Sequence, residues 1–381
     1  MKTQQLKFTP KQGWQNVSQI SEDIDANLIF AFGSTQLIAA NEGLKILKKQ
    51  YPNAIMVGGT SAGEISGTMV LDNTIIATLV SFKHSSVAYV SENISHPDTS
   101  YEVGSNLIKK LPTEGLIHVF IMSEGLNING SELVRGVRSA LPPHVVATGG
   151  LAGDGAQFKE TYIINEEGLA SKNLVSAIGF YGDKLKISYG SLGGWDNFGI
   201  ERLVTKSKNN ILYELDGKPA LELYKSFLGD YAKDLPSSGL LFPLNLRTDR
   251  NEEPVVRTIL AVDEEEQSLT FAGDIPEGSY VRLMKANFDR LIDGAIGAAK
   301  STLKDETIGS PTLAILISCV GRKLVLKQMV EEEVEGVSDI LGTETVLAGF
   351  YSYGEISPFS NESKCELHNQ TMTISTFYEI D

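Results

Sequence analysis

The sequence predicts an α+β fold made of duplicated β-α-β-β-β units, with mostly antiparallel sheets and helices outside them. Three observations carry that expectation. The same order of β-branched and helical-period stretches comes back along the chain. Strands of one type end in glycines: "VGGTSAGEIS" (57–66), "TGGLAGDG" (148–155) and "AGFYSYGEIS" (348–357). Several strands follow one another with no helical stretch between, which favours antiparallel pairing.

The first unit opens on "NLIFAFGS" (27–34), an apolar run of strand length. "TQLIAANEGLKILKKQY" (35–51) has apolar residues at helical spacing, with Ser34 or Thr35 as its cap. "AIMVGG" (54–59), "MVLDNTIIATLVSF" (69–82) and "SVAYVS" (86–91) read as strands. The order returns as strand "GLIHVFIMSEG" (115–125), helix "SELVRGVRSAL" (131–141) and glycine-ended strand "HVVATGGLAGDG" (144–155), with further strands after it. It returns again as strand "PTLAILISCVG" (311–321), helix "KLVLKQMVEEEVEG" (323–336) and strand "TVLAGFYSYGEIS" (345–357). A weaker copy without glycines is read between them: helix "PALELYKSFLGDY" (219–231), strand "GLLFPLNLR" (239–247) and strand "PVVRTILAVD" (254–263). Two units plus two units make a duplicated domain, and two covered sheets would stack as α-β-β-α. The turn "DGKP" (216–219) places the boundary near 215, giving domains 27–215 and 216–381.

Composition excludes several classes. The chain has 381 residues, 42% hydrophobic and 21% charged, as a globular protein of two or three domains does. With 48 acidic and 33 basic residues the net charge is −15, which disfavours nucleic acid and anionic membranes as partners. Cys319 and Cys365 stand in no metal or redox spacing, so no metal site and no disulfide scaffold are expected. The amino-terminal stretch has no apolar signal region, and no apolar run reaches the roughly 18 residues of a spanning helix, so the expected location is cytoplasmic without membrane insertion.

The glycine loops admit three chemistries. Glycines after a strand permit turns and close backbone approach. Phosphate binding is disfavoured, because no G-x-x-x-x-G-K-[ST] occurs and "GGTSAG" does not open a helix. "GTSAG" (59–63) matches the string of a nucleophile elbow around Ser61, but an elbow joins a strand to a helix and "EISGTMV" reads as a strand. A small-ligand site is the reading that uses the convergence of repeated strand ends. Glu64, Asp154 and Glu355 follow such glycines and would hold an ammonium, while backbone N–H groups or Arg322 would take a carboxylate. Thr60, Ser61, Gly63, Gly150 and Gly153 supply the loops, and Tyr351 and Tyr353 the walls.

Six segments in order, "GGTSAGEI" (58–65), "GGLAGDG" (149–155), "GKPALELY" (217–224), "IPEGSYVRLM" (275–284), "SCVGR" (318–322) and "GFYSYGEISP" (349–358), resemble the FIST family, from about residue 27 to 360. The resemblance implies a FIST N-terminal domain followed by a FIST C-terminal domain. It implies an intracellular sensory module that binds a small ligand such as an amino acid. It implies output through a separate signalling protein, such as a kinase or cyclase. Its alternative is a haem-based sensor of nitric oxide. None of His84, His96, His118, His144 and His368 sits on a matched segment or in C-x-x-C-H, so no cofactor is the primary expectation. A hydrolase acting through Ser61 or Cys319 is the second alternative, and no catalytic residue is assigned.

Overall fold

The computed structural model describes residues 1–18, 24–249, 254–303, 310–358 and 364–380. Three units share one plan. Each has a first strand, a helical crossover, a second strand parallel to the first, and a third strand antiparallel to it. These are Leu28–Gly33, Ile55–Thr60 and Ile75–Ser81 in unit one. They are Leu116–Ser123, Val146–Leu151 and Leu174–Tyr181 in unit two. They are Leu313–Cys319, Val346–Ser352 and Met372–Glu379 in unit three.

One contact fixes each parallel pair. Gly58, Gly149 and Gly349 have φ of +140°, +151° and +158°. A Cβ on them would lie 1.9, 2.0 and 1.8 Å from the carbonyl oxygens of Ala31, Ile121 and Leu316, their own partners on the first strand. No other residue fits there. The glycines of "VGG", "TGG" and "LAG" are therefore structural first, and their equivalence bears out the repeat.

Past each glycine the chain leaves its own sheet. Glu64–Ser66 of unit one pairs with Val346–Ser352 of unit three. Gly354–Pro358 of unit three pairs with Val146–Leu151 of unit two. Ile163 of unit two pairs with Gly59 of unit one. The exchange runs one to three, three to two and two to one, so it closes. A second exchange runs the other way. Ser86–Asn93 follows unit one but joins the sheet of unit two, and Leu185–Leu192 follows unit two but joins that of unit three. Lys2–Thr9 fills the corresponding edge of unit one, and the Met1 ammonium meets the Glu379 carboxylate at 3.2 Å.

The three sheets enclose one apolar centre. Phe32 stacks on Phe350 at 4.5 Å, Phe30 meets Phe120 edge-on at 5.3 Å, and Phe180 meets Phe377 at 5.3 Å. Each pair joins two different units. A fully buried phenylalanine contributes about 1.5–3 kcal/mol of transfer free energy, so this centre ties the units together. Helices cover the outside, including Ser100–Lys109 with Gly130–Ala140, and Phe288–Thr302 with Val330–Leu341. The class is thus the expected one: mixed, mostly antiparallel, helices outside. Three sheets around a shared centre replace the expected α-β-β-α stack. Among the described residues no helix is long and apolar enough to cross a membrane.

The expected fourth unit is absent. Segment 239–247 is a 3-10 turn, Ser237–Leu241, then the short strand Leu244–Arg247. It belongs to an eight-stranded sheet, inserted between Leu185–Leu192 and Phe288–Thr302, with its own core around Leu212, Tyr224, Leu269 and Phe271. The two edge strands of that sheet, Val255–Arg257 and Ile259–Asp263, are separated only by Thr258, so the sheet curls on itself beside the helix Ala220–Leu228. The sequence boundary near 215 falls in the turn between the paired strands Ile211–Leu215 and Lys218–Pro219 of this sheet.

Gly149→Ala should cost roughly 3 kcal/mol or more in chemical denaturation, adding backbone strain to the clash with Ile121. Gly115 also has positive φ, +71°, but nothing lies within 4 Å of its missing Cβ. Gly115→Ala should therefore cost only about 1–2 kcal/mol. Equal losses would contradict the close-approach account.

Candidate functional site

The strand ends converge about an approximate threefold axis. The amide of Ala62 donates to Tyr351 O at 2.9 Å, that of Gly153 to Thr60 O at 3.2 Å, and that of Tyr353 to Leu151 O at 3.1 Å. These are one bond made three times, since Ala62, Gly153 and Tyr353 each stand four residues after the strained glycine of their unit. The loops picked from sequence thus do meet. They meet packed: Gly153 has Ala62 Cβ and Tyr353 Cδ1 at 3.2 and 3.3 Å from its missing Cβ, and Gly150 has Ile317 Cγ2 at 2.8 Å.

Glu64 and Glu355 are built alike. Ser61 Oγ donates to Glu64 Oε1 at 2.5 Å, and Thr74 Oγ1 and N donate to Oε2 at 2.8 and 3.4 Å. Ser352 Oγ donates to Glu355 Oε1 at 2.5 Å, and Thr371 Oγ1 and N donate to Oε2 at 2.9 and 3.2 Å. Each glutamate ties the exchanged strand to the start of its own unit's third strand, and every carboxylate oxygen has a donor. Burial pushes Glu64 up to about 7 and Glu355 up to about 8 against these hydrogen bonds. Thr60 Oγ1 accepts from Tyr162 N at 3.2 Å and secures the third exchange. Lys323 lies across Gly63, donating to Ala62 O at 2.9 Å and Asp72 Oδ1 at 2.5 Å.

Unit two departs from this pattern. Its equivalents of Ser61 and Glu64 are Ala152 and Gly155, and Asp154 stands one residue earlier. Asp154 accepts from the amides of Phe158, Lys159 and Glu160 at 2.8, 2.8 and 3.0 Å, and from Tyr353 Oη. Burial pushes Asp154 up, but these bonds outweigh it and hold it below the usual range. Tyr353 also stacks on Phe158 at 4.6 Å. Glu124, at the end of the first strand, is buried, accepts from Thr161 Oγ1 at 3.2 Å and is raised by burial.

Arg322 is fully buried and committed to the protein. It donates to Glu333 Oε2 at 3.0 and 2.7 Å, to Gly193 O at 2.5 Å and to Leu291 O at 2.6 Å. Tyr351 Oη donates to Glu333 Oε1 at 2.6 Å. This buried arginine, tyrosine and glutamate bind the helices Val320–Leu326, Phe288–Thr302 and Val330–Leu341 to unit three.

The groups behind the alternative chemistries have structural surroundings. Cys319 and Cys365 are free and buried, which pushes both thiols up, Cys365 to about 12. His118 Nε2 lies 2.9 Å from Thr148 Oγ1, and His368 Nε2 donates to Ser357 O at 2.7 Å. Burial lowers them to about 3 and about 4. His84, His96 and His144 are exposed and far apart in the chain. Among the described residues no three His, Cys, Asp or Glu cluster as metal ligands.

Sequence reasoning missed a different corner. Strand register makes Asp72, Lys172 and Asn369 equivalent, each three residues before matched positions on the third strand. The next residues, Asn73, Asn173 and Gln370, all have positive φ, 60°, 51° and 63°. Asp72 is exposed and pairs with Lys323 at 2.5 Å; Lys172 is exposed and pairs with Glu160 at 2.8 Å. Asn369 is 1% exposed, and neither its Nδ2 nor its Oδ1 has a hydrogen-bond partner. The inserted sheet covers it there. Arg257 Nη1 donates to Leu367 O at 3.1 Å, and Gln370 Nε2 reaches Leu240 O at 3.4 Å. Gln370 Oε1 and Thr258 Oγ1 are also buried without partners. The signal was the paired strings "DNTI" (72–75) and "NQTM" (369–372), which mark both this corner and the threonines of the two glutamates.

Because Glu355 ionises far above a solvated carboxyl, the folded state holds its proton where the unfolded chain has lost it. That contribution to stability is present at low pH and falls as pH rises from the unfolded value near 4.5 to about 8. Glu355→Gln keeps the shape of the neutral acid and should flatten the decline in denaturation free energy between about pH 5 and 8, relative to the parent. An unchanged slope would show that Glu355 ionises normally.

The FIST N domain matches residues 27–218 and the FIST C domain residues 220–358. An uncharacterised protein of Methanocaldococcus jannaschii is 29% identical over 233 residues, covering 57% of this chain and 42% of that protein. The chain thus spans about two fifths of the length of that relative. A cyanuric acid hydrolase from A. caulinodans overlays 93% of this chain and 90% of its own at 7% identity, with a TM-score of 0.36. That overlay is too loose to bear on chemistry. FIST domains are sensory modules of signal transduction, and with both domains matched in order, the chain belongs to the FIST family.

Proposed function

We propose that the protein is a non-catalytic sensor that binds a small polar ligand, an amino acid or similar metabolite, and signals through a separate partner such as a kinase or cyclase. The observation that carries this reading is the sealed corner at Asn369. Two equivalent corners are solvent-exposed and charge-paired, whereas this one is buried with its amide unpartnered. A buried amide without partners costs about 1–3 kcal/mol, so the corner is expensive unless something polar occupies it. It also lies where one body with its own core is seated on another, and a ligand there would change how the two sit. The absence of catalysis is supported by the surroundings of the candidate nucleophiles: Cys319 is buried and raised, and Ser61 is bonded to a glutamate that also serves Thr74.

A thermal-shift screen of the twenty amino acids and small organic acids should find a stabiliser. At a hundredfold excess over Kd the gain is about 2.7 kcal/mol, a rise of several degrees. Asn369→Leu should abolish the response while leaving the free protein at least as stable, because it removes an unpaired buried amide. A flat response across the screen would count against the sensor reading.

A further inference from the structure

Among the described residues two arginines are buried, and they are not alike. Arg322 has Glu333 against its guanidinium. Arg257 is 6% exposed, and its hydrogen bonds go only to backbone carbonyls: Asp274 O at 3.1 Å, Val256 O at 3.2 Å and Leu367 O at 3.1 Å. Among the described residues no carboxylate stands within salt-bridge distance of it. The nearest negative charges are Asp274, whose carboxylate accepts from Asn129 Nδ2 at 2.9 Å, and Glu366, which pairs with Arg138. Both help to hold the cation, and both are committed elsewhere. A buried arginine is ordinarily neutralised by an ion pair.

Arg257 is anchored to the strand that leads into the unpartnered amide. It grips Leu367 O, two residues before Asn369. Both side chains of that strand end face Gly354: Leu367 Cδ1 lies 3.0 Å and Asn369 Nδ2 3.7 Å from where a Cβ of Gly354 would be. Thr258, whose hydroxyl is buried and unpartnered, is the residue after Arg257. The seam between the inserted sheet and unit three therefore carries one cation without a contacting anion and a carboxamide with donor and acceptor unused, and the buried, unpartnered Thr258 Oγ1 and Gln370 Oε1 belong to the residues that follow them in the chain.

We infer that this seam is a binding site for a small carboxylate, held by the Arg257 guanidinium and read by the Asn369 amide. The carboxylate supplies the missing anion and accepts from Asn369 Nδ2. A donor on the same ligand, such as an ammonium or a hydroxyl, fits Asn369 Oδ1 and Gln370 Oε1. Arginine suits this role because its planar fork matches a carboxylate, which a lysine ammonium does not. The inference rests on the sensor reading and deepens it by naming the ligand's charge and its holder.

The test compares acids with their own carboxamides by titration calorimetry on the unmodified full chain. The probes are acetate, succinate, L-alanine and L-glutamine, against acetamide, succinamide, L-alaninamide and L-glutaminamide. At least one acid should bind, with its carboxamide at least tenfold weaker. Arg257→Gln should cost the acid tenfold or more and leave the carboxamide unchanged, and Arg257→Lys should recover only part. Carboxamides binding as well as acids, with no effect of Arg257→Gln, would overturn the anion assignment and leave the sensor reading standing. Binding of neither set, with water alone on Asn369 in a high-resolution crystal structure, would overturn both. If Arg257→Gln does not fold, the acid-to-amide ratio on the parent protein still decides.

Discussion

Everything in this ring follows from one close approach, the second strand of each unit pressed against the first at a glycine. At Gly58, Gly149 and Gly349 a carbonyl oxygen occupies the place of a side chain. The parallel pairing runs on for two or three residues past that glycine, and there the chain leaves its own sheet. The residues that follow become a strand of the neighbouring sheet, and three such departures close a cycle. No unit can then complete its sheet alone. The phenylalanine contacts at the centre, each made between two units, require the same closure.

The repetition makes the differences informative. The serine–glutamate–threonine brace occurs in units one and three, where it fixes the exchanged strand. Unit two replaces it with Asp154 gathering three amides of a surface loop and the hydroxyl of Tyr353. The corner at Asp72, Lys172 and Asn369 shows the same divergence with a different consequence. Two copies face water and carry paired charges, and the third lies under a body that the other two units lack. The internal comparison separates what the scaffold needs everywhere from what one unit alone carries.

Part of this was legible in the sequence. The glycine-ended strands, the β-α-β order and the helices outside follow from periodicity and punctuation, which are local. The repeat number was misread because the inserted sheet is about as long as a unit and places an apolar run near 243, where a fourth copy would fall. The glycines missing from that run were the true signal. Strand exchange was invisible, because the partners of Glu64 and Gly354 are hundreds of residues away or in another unit. Arg322 looked like a ligand-binding group because it follows an apolar strand, yet Glu333, one helix further on, neutralises it. Arg257 and Asn369 drew no notice, since neither stands by a glycine loop. Their significance comes from burial and from missing partners, which no string of letters records.

The central claim is that cyclic exchange makes the three units one cooperative body, on which the inserted sheet is seated as a second. Native-state hydrogen exchange measures this directly. The amides of Ile65, Ile163 and Ile356, all in exchanged strands, should open only with the same free energy as the central strands Leu28–Gly33, Leu116–Ser123 and Leu313–Cys319. Amides of the inserted strands Leu212 and Leu269 should open at a lower free energy. Exchanged strands that open well below their host sheets, or an inserted sheet that opens only with the ring, would contradict the account.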